Sequence, residues 1–324
     1  MWTLAHVQWA CIRAVAHTSL YIRTSPWLSP TTQPDRLKTY PCRPTLYACR
    51  IFTPKDSQGK AKLPLVIRAH GGGFIVNYPA ADDALARRLA DQAHCIVVSI
   101  DYSKAPQNQF PIAYEDAIAQ SLAVIDDPEL PTDKSRVVLC GSSAGGNLFL
   151  GAAQDPRLRS KILGVVAIYP AVDVGVDTQT KMATRPDPSV PDFIGNSWDT
   201  IQTLYLDEHH KPSMDDVRLS PTFFATRDSL PPELLLIGAE HDMFCREVEV
   251  MADKLAAGTT KSPTKEGWRA PGVEYYKVFG QPHAFEGFPV KDPEAEKARV
   301  AATDAMIGSI SDWLIGIFAR ANGH

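Results

Sequence analysis

Apolar positions along the chain predict an alternation of buried strands and amphipathic helices. Continuous β-rich runs are typical of strands that are buried on both faces of a parallel sheet, and they lie at 46–52, 65–69, 95–100, 137–140, 162–169, 233–237 and 273–279. Apolar residues at helical spacing predict helices at 82–93, 111–126 and 294–321. Strands that alternate with helices indicate an α/β fold, in which helices cover both faces of a mostly parallel sheet.

Composition and charge change this picture little. The chain has 324 residues and near-average proportions of apolar and charged residues, which fits one soluble α/β domain over its whole length, 1–324. Lys and Arg number 33 against 37 Asp and Glu, and no basic stripe is present, which argues against a nucleic-acid partner. No uninterrupted apolar run is long enough to cross a bilayer, so we expect no stable membrane insertion.

The cysteines indicate reduced thiols. None forms a C-x-x-C pair, and the six are scattered through predicted strands and helices: Cys11, Cys42, Cys49, Cys95, Cys140 and Cys245. This pattern favours an intracellular protein and therefore a cytoplasmic location, although a Cys42–Cys49 disulfide stays open. The first twenty residues make a poor signal peptide, because His6, Arg13 and His17 interrupt their apolar stretch.

A serine in a turn of small residues follows the strand predicted at 137–140. The turn is Gly141-Ser142-Ser143-Ala144-Gly145, a G-x-S-x-G pattern centred on Ser143. A nucleophile elbow turns so sharply from strand to helix that its flanking residues must be small, and it raises the serine hydroxyl above the sheet. The N–H of Ala144 would then lie at a helix start, where partial positive charge favours an anion. A plain strand–helix turn is the alternative for this pattern taken alone.

Three consecutive glycines follow the strand predicted at 65–69, in His70-Gly71-Gly72-Gly73-Phe74. Glycines let the backbone come close to a ligand and present N–H groups without obstruction by side chains. An HGGG turn after the third strand supplies oxyanion donors in lipases and esterases. Because both motifs occur in this order and each follows a strand, they favour an oxyanion hole over a flexible glycine loop.

Two later strand ends supply an acid and a histidine. Asp242 ends the stretch Gly238-Ala239-Glu240-His241-Asp242 after the strand at 233–237, and His283 follows the last strand. Ser143, Asp242 and His283 stand in the chain order of α/β-hydrolase triads. Such a triad needs one imidazole nitrogen at the serine hydroxyl and the other at the carboxylate. Glu240 is the competing acid, and a helix N-cap at Asp242 with a loop histidine at His283 is the structural alternative.

In combination these motifs resemble the hormone-sensitive-lipase-like family of α/β-hydrolases, which includes bacterial esterases and plant carboxylesterases. Five blocks carry the resemblance: HGGGF at 70–74, Asp101-Tyr102 followed by Ala105-Pro106 and Phe110-Pro111, GSSAGGN at 141–147, GAEHD at 238–242 and PHAF at 282–285. The resemblance implies the α/β-hydrolase fold and oxyanion hydrogen bonds from Gly72, Gly73 and Ala144. It also implies a helical cap, built from 1–30 and from the insertion at 172–227.

Several positions depart from the family pattern. Ser142 stands where the family has aspartate, Ser103 where it has arginine, Gln107 where it has glutamate, and Ala284 where it has glycine. These changes remove two acidic groups and an arginine near the site, but they leave every member of the triad. A polar insertion at 259–271 also separates the strand before Asp242 from the strand before His283.

The first twenty residues predict a helix that is apolar on more than one side, with Trp2, Leu4, Val7, Trp9, Cys11, Ile12 and Val15. Such a helix packs on the domain, forms part of a lid over the active site, or lies on a membrane surface. The absence of a lysine-rich opposite face argues against the membrane surface. We predict that 1–20 and 178–216 form a helical lid.

Three aromatic residues, Phe193, Trp198 and Tyr205, interrupt the alternation of strands and helices within the second lid segment. Trp198 and Tyr205 lie in a predicted cap helix, where they form either the core of the cap or the wall of the pocket. Together with Phe74, they are our candidates for substrate binding.

The residues therefore predict a serine hydrolase that cleaves a carboxylic ester of a small or medium-sized molecule through an acyl-enzyme, without a cofactor. One alternative is a specialised-metabolism enzyme that releases, transfers or cyclises an acyl group with the same triad. Another is a non-catalytic receptor for a small molecule, which is disfavoured because receptors of that kind in this family lack a complete triad. No metal is expected, since no H-E-x-x-H spacing occurs and His209-His210 indicates a solvated face. The expected partner is the ester or acyl substrate, and a homodimer stays open.

Overall fold

The computed structural model describes residues 4–57, 62–192, 194–195, 197–206 and 212–321, with side chains from residue 10 onward. Within these residues one mixed sheet forms the centre of the fold. Its strands are β1 (Arg36–Lys38), β2 (Cys49–Phe52), β3 (Leu63–Ala69), β4 (Ile96–Ile100), β5 (Thr132–Ser142), β6 (Gly164–Ile168), β7 (Glu233–Ala239), β8 (Ser262–Pro263), β9 (Gly267–Ala270) and β10 (Val273–Val278).

The strand order across the sheet is β1-β2-β4-β3-β5-β6-β7-β10-β9-β8. Neighbours from β4 to β10 pair in parallel, whereas both edges of the sheet are antiparallel. Every residue of β3, β4 and β6 is buried, as the continuous apolar runs in the sequence predict for strands with helices on both faces.

The helices are α1 (Leu4–Arg23), α2 (Asp83–Gln92), α3 (Ile112–Ile125), α4 (Ala144–Ala152), α5 (Pro156–Arg159), α6 (Thr178–Met182), α7 (Trp198–Tyr205), α8 (Cys245–Leu255) and α9 (Pro293–Ala321). Alternate side chains of a strand point to opposite faces of a sheet, and here they enter two separate cores. On β3, Leu65 and Ile67 join the core beneath α3, α4 and α8, whereas Val66 joins the core beneath α2 and α9. The predicted α/β fold, with helices on both faces, is therefore confirmed.

Two parts of the sheet were not predicted. β1 lies within the proline-rich stretch at 25–44, and β8 and β9 form an antiparallel pair within the polar insertion at 259–271. β1 and β8 are short and mostly exposed, and β9 is short and mostly half-buried. These edge strands therefore lack the buried apolar run that marks the central strands.

The last helix, α9, lies on the sheet face opposite α4. Met306, Ile307, Ile310 and Leu314 are buried there. In the described part of the chain, α9 is the one helix that is long and apolar enough to cross a membrane, by length and composition only. Within its most apolar stretch of 18 residues, 33% of the residues are buried. The packing of its apolar side is that of a core helix, and the expectation that the chain does not insert into membranes stays a prediction.

Candidate active site

Ser143 occupies a strained turn between β5 and α4. Its backbone has φ of 51° and ψ of −118°, a region that residues other than glycine adopt at a cost. The turn is held by two hydrogen bonds, from Ser143 N to Ile168 O at 2.8 Å and from Asn147 N to Ser143 O at 3.0 Å. The serine hydroxyl is thereby placed at the carboxyl edge of the parallel strands, where α/β folds bind their ligands.

The glycines around Ser143 are required by space. A Cβ on Gly145 would lie 2.2 Å from the carbonyl oxygen of Ala69, and a Cβ on Gly141 would lie 2.3 Å from that of Gly145. Both distances are far inside van der Waals contact. The G-x-S-x-G spacing therefore corresponds to a real elbow, packed directly against the end of β3.

The structure brings Ser143, Asp242 and His283 together from three strand ends. His283 Nε2 lies 2.9 Å from Ser143 Oγ, and His283 Nδ1 lies 2.6 Å from Asp242 Oδ2. All three side chains are buried. Burial lowers the pKa of His283, but the charge of Asp242 and its hydrogen bond raise it more, so the net shift is upward.

Asp242 rather than Glu240 holds the imidazole. The second oxygen of Asp242, Oδ1, accepts a hydrogen bond of 2.9 Å from the N–H of Phe244 at the start of α8. Glu240 instead accepts a hydrogen bond of 2.7 Å from the N–H of Gly280. The loop between β7 and α8, residues 240–244, is called the acid loop. It orients Asp242 towards His283, whereas Glu240 in the same loop bonds the loop that follows β10.

The glycine turn lies directly beside Ser143. Gly72 and Gly73 have φ of 133° and 58°, conformations that favour glycine. A Cβ on Gly72 would lie 2.4 Å from Val76 O, and one on Gly71 would lie 3.3 Å from Ser143 Cβ. The turn and the N-terminus of α4 therefore meet at the serine, as an oxyanion hole made by Gly72, Gly73 and Ala144 requires. That assignment stays a prediction.

A buried polar network that the sequence did not predict supports the glycine turn from behind. Lys104 Nζ donates to Asp101 Oδ1 at 2.6 Å, and His70 Nε2 lies 3.1 Å from the same oxygen. Tyr102 donates its hydroxyl to His70 O at 3.0 Å. Burial raises the pKa of Asp101, but the hydrogen bond from His70 and the charge of Lys104 lower it more, to about 2. Lys104 thus supplies a cation in the block where Ser103 replaces the family arginine.

A second network accounts for Ser142. Arg68, which is wholly buried in β3, donates to Ser142 Oγ at 3.0 Å and to Asp82 Oδ2 at 2.7 Å. A buried guanidinium needs a carboxylate partner, and Asp82 provides it from the turn before α2. Ser142 therefore accepts a hydrogen bond from a buried arginine whose charge is balanced by Asp82.

The helix α7 lies on the glycine turn. Tyr205 stacks on Phe74 with ring centroids 4.0 Å apart and planes 4° from parallel, and Ile201 Cδ1 would lie 3.0 Å from a Cβ on Gly73. The Trp198 and Phe244 ring centroids lie 4.9 Å apart, and the Phe244 and His283 ring centroids lie 5.4 Å apart. Phe74, Trp198 and Tyr205 are each only 1% exposed. Their role in substrate binding stays a prediction, and Phe193 and His209-His210 lie outside the described residues.

Buried charged side chains link the segment at 172–206 to the acid loop and to α8. Lys181 in α6 pairs with Glu247 in α8 and donates to Asp173 O at 2.7 Å. Arg185 donates to His241 O at 2.7 Å, and Asp192 accepts from the N–H of Met243 at 2.9 Å. These contacts were not predicted, because no short motif marks them.

The N-terminal helix α1 crosses the loops that follow β4 and β10. Arg13 donates to Gln107 Oε1 at 2.6 Å, and Arg23 donates to Gly287 O at 3.1 Å. The outward side of α1 is exposed, with Val15 70% and Tyr21 72% accessible. Gln107 thus serves as an acceptor for α1, and the lid assigned to this helix stays a prediction.

Deleting residues 1–20 should raise KM for the best ester substrate and broaden substrate choice, while the sheet stays folded and Ser143 stays reactive. The physical reason is that α1 contacts loops around the triad but supplies none of its members, and lids exclude water while substrate docks. Steady-state kinetics and circular dichroism would test this, with Arg13→Ala as a milder variant and Arg246→Ala as a surface-arginine control. Unchanged kinetics would refute the lid, and binding of the full chain but not the deletion to liposomes would identify a membrane helix instead.

Comparison with known proteins identifies the family. A family model described as alpha/beta hydrolase fold matches residues 66–285. The chain belongs to the α/β-hydrolase family. This confirms the fold and the family resemblance that the sequence motifs predict.

Individual relatives agree with the family. The chain is 32% identical over 248 residues to the versiconal hemiacetal acetate esterase of Aspergillus parasiticus. That alignment covers 75% of this chain and 72% of that protein. It is 37% identical over 109 residues to the esterase LipI of Mycobacterium tuberculosis, covering 33% of this chain and 34% of that protein. A solved esterase of Pyrobaculum calidifontis superposes with a TM-score of 0.74 at 26% identity, over 97% of this chain and 95% of that chain.

The extent of these matches varies. The chain spans 21%, 44% and 34% of the length of three of the curated relatives that it matches.

Proposed function

We propose that this protein is a serine carboxylic ester hydrolase. One observation carries the proposal: His283 bridges Ser143 and Asp242 with contacts of 2.9 and 2.6 Å, inside a protein of the α/β-hydrolase family. These contacts have the lengths that a nucleophile, a general base and its orienting acid need. Relatives and structural neighbours that are esterases support the same activity.

The mechanism follows from the geometry. Ser143 Oγ attacks the ester carbonyl carbon and passes its proton to His283 Nε2, while Asp242 stabilises the resulting imidazolium. The negative charge that develops on the carbonyl oxygen is held by the N–H groups of Gly72, Gly73 and Ala144. His283 then protonates the departing alcohol. A water molecule, deprotonated by the same nitrogen, releases the acid and restores Ser143.

We propose that the ester substrate is small or medium-sized. Two observations support a compact substrate: Ser143 is only 5% exposed, and Ile201 of α7 packs closely against Gly73. The relative from Aspergillus parasiticus is named as an acetate esterase, which also supports a short acyl group.

Intact-mass measurement after exposure to an alkyl fluorophosphonate tests the function. We expect a single adduct on Ser143, because that hydroxyl is activated by His283, and turnover of acetyl esters above long-chain esters. The protein pre-treated with the reagent should lose ester hydrolysis in proportion to labelling. No adduct on folded protein, or an adduct mapped to Ser142, would refute the assignment. Turnover confined to long-chain esters would refute the short acyl group.

A further inference from the structure

The loop that carries His283 folds back on itself immediately after the histidine. Ala284 has φ of 54°, in the left-handed region, and a single turn of 3₁₀-helix follows at Phe285–Gly287. Helix α9 holds this turn from outside, because Arg299 donates to the carbonyl oxygens of Phe285 and Glu286 at 3.1 and 3.0 Å. The reversal directs the Glu286 side chain to the end of β6.

Tyr169, the first residue after β6, receives Glu286. Its hydroxyl donates to Glu286 Oε1, and its own backbone is strained, with φ of 37°. The Tyr169 ring contacts the His283 imidazole edge-on, with centroids 4.7 Å apart and planes at 60°. Phe244 contacts the same imidazole at 5.4 Å and 82°. The imidazole therefore contacts two aromatic rings, and the hydroxyl of one of them is bonded to a carboxylate on the histidine's own loop.

The buried position of the Glu286 carboxylate lowers the stability of the fold. Glu286 Oε2 is buried without a hydrogen-bond partner among the described residues, and burial raises the pKa of Glu286. A buried polar group without a partner destabilises a fold. A hydroxyl partner on one oxygen and none on the other is a poor way to stabilise a core, so these side chains serve another purpose.

We propose that Tyr169 and Glu286 form a positioning pair, which holds the His283 imidazole in the orientation that serves Ser143 and Asp242 together. The proposal rests on the proposed function, since it concerns the base of that reaction. Neither residue touches the reacting atoms. Glu286 fixes the Tyr169 ring through the hydroxyl, and the ring limits rotation of the imidazole about its Cβ–Cγ bond.

The charge of Glu286 provides a second measurable effect, on the pKa of His283. Asp242 from the acid loop, Asp192 from the segment before α7 and Glu286 all raise the pKa of His283 against the effect of burial. Around Glu286 itself lie the Tyr169 hydroxyl, Asp82 and His283, with Arg299 on the α9 side and Arg68 near Tyr169. Removal of the Glu286 charge should therefore lower the pKa of His283.

Steady-state kinetics of three variants test the pair: Tyr169→Phe, Glu286→Gln and the double variant. The matched control is Tyr276→Phe, because Tyr276 is a buried tyrosine of the same core as Tyr169. We expect each single variant to lower kcat about tenfold with little change in KM, since a small misplacement of a catalytic group reduces rate and not binding. The double variant should be no worse than the poorer single variant, because the two residues act as one unit.

The pH profile separates positioning from stability. In Glu286→Gln the acidic limb of kcat/KM should move to lower pH, whereas Tyr276→Phe should match the wild type in rate and profile. Tyr169→Phe removes one oxygen atom, so it tests the pair even if Glu286→Gln fails to fold. A kcat within twofold of the wild type for Tyr169→Phe, or losses that add in the double variant, would overturn the pair while leaving the proposed function intact. A wild-type protein that neither hydrolyses esters nor takes the fluorophosphonate would overturn both.

Discussion

Ser143→Ala is expected to lower kcat for ester hydrolysis by about 10⁴-fold or more. The hydroxyl lies 2.9 Å from His283 Nε2, so its removal leaves the base without a nucleophile to activate. The strained turn should survive, because alanine fits the space and the bonds that hold the turn come from the backbone. The variant should therefore bind substrate normally, and isothermal titration with an uncleaved ester analogue would show this.

Ser142→Ala is the matched control for the nucleophile. Its hydroxyl is bonded to Arg68 and lies next to Ser143 in the chain, yet it plays no part in the proposed attack. It should still take one fluorophosphonate adduct, whereas Ser143→Ala should take none. Residual turnover above about one per cent of the wild-type rate in Ser143→Ala would mean that another group acts as nucleophile, because water activated by the remaining site is far slower.

Asp242→Asn is expected to lower kcat by about 10⁴-fold, the loss seen for the corresponding change in another Ser-His-Asp enzyme. Asp242 Oδ2 accepts a hydrogen bond of 2.6 Å from His283 Nδ1, and Oδ1 accepts a hydrogen bond from the N–H of Phe244. An asparagine in this position would keep its oxygen on that backbone N–H and turn its NH₂ towards Nδ1. The imidazole would then carry its proton on Nε2, where it cannot accept one from Ser143.

The pH profile gives Asp242→Asn a second readout. Activity should rise with pH as His283 loses its proton, and the Asp242 charge raises the pKa of His283 against burial. Loss of that charge should therefore move the acidic limb to lower pH. Glu240→Gln is the control, because Glu240 bonds Gly280 rather than the imidazole, and it should stay within a few-fold of the wild type. If Glu240→Gln proves the more damaging change, the acid has been assigned to the wrong residue.

The central strands and the elements around the candidate site were predictable from the sequence. The predicted strand at 65–69 became β3, Leu63–Ala69, and the predicted strand at 95–100 became β4, Ile96–Ile100. Such elements are predictable because a strand that is buried along its whole length has a continuous apolar run in its sequence. The turn at 141–145 was predictable for a similar local reason, since only glycine fits at Gly141 and Gly145.

The edges of the sheet depended on partners elsewhere in the chain. In the part of the chain that the structure describes, β1 pairs with β2 alone, and β8 pairs with β9, which itself pairs with β10. β1 and β8 have three and two residues with mostly exposed side chains, which is too short to carry a pattern of apolar positions of their own. Their conformation depends on the row of unpaired N–H and C=O groups along a neighbouring strand, and that row is presented only once the sheet has formed.

The polar groups that support the site are brought together by tertiary contacts between distant parts of the chain. Arg68 meets Asp82 and Ser142, Lys104 meets Asp101 and His70, and Tyr169 meets Glu286 across 117 positions of sequence. The sequence showed that Ser142 and Ser103 depart from the family pattern, but not which charged residues lie next to them in the fold. A catalytic motif is local because strained turns need small residues at fixed spacing. A buried charge can be neutralised by any residue that the fold brings within hydrogen-bonding distance, and chain spacing does not determine which residue that is.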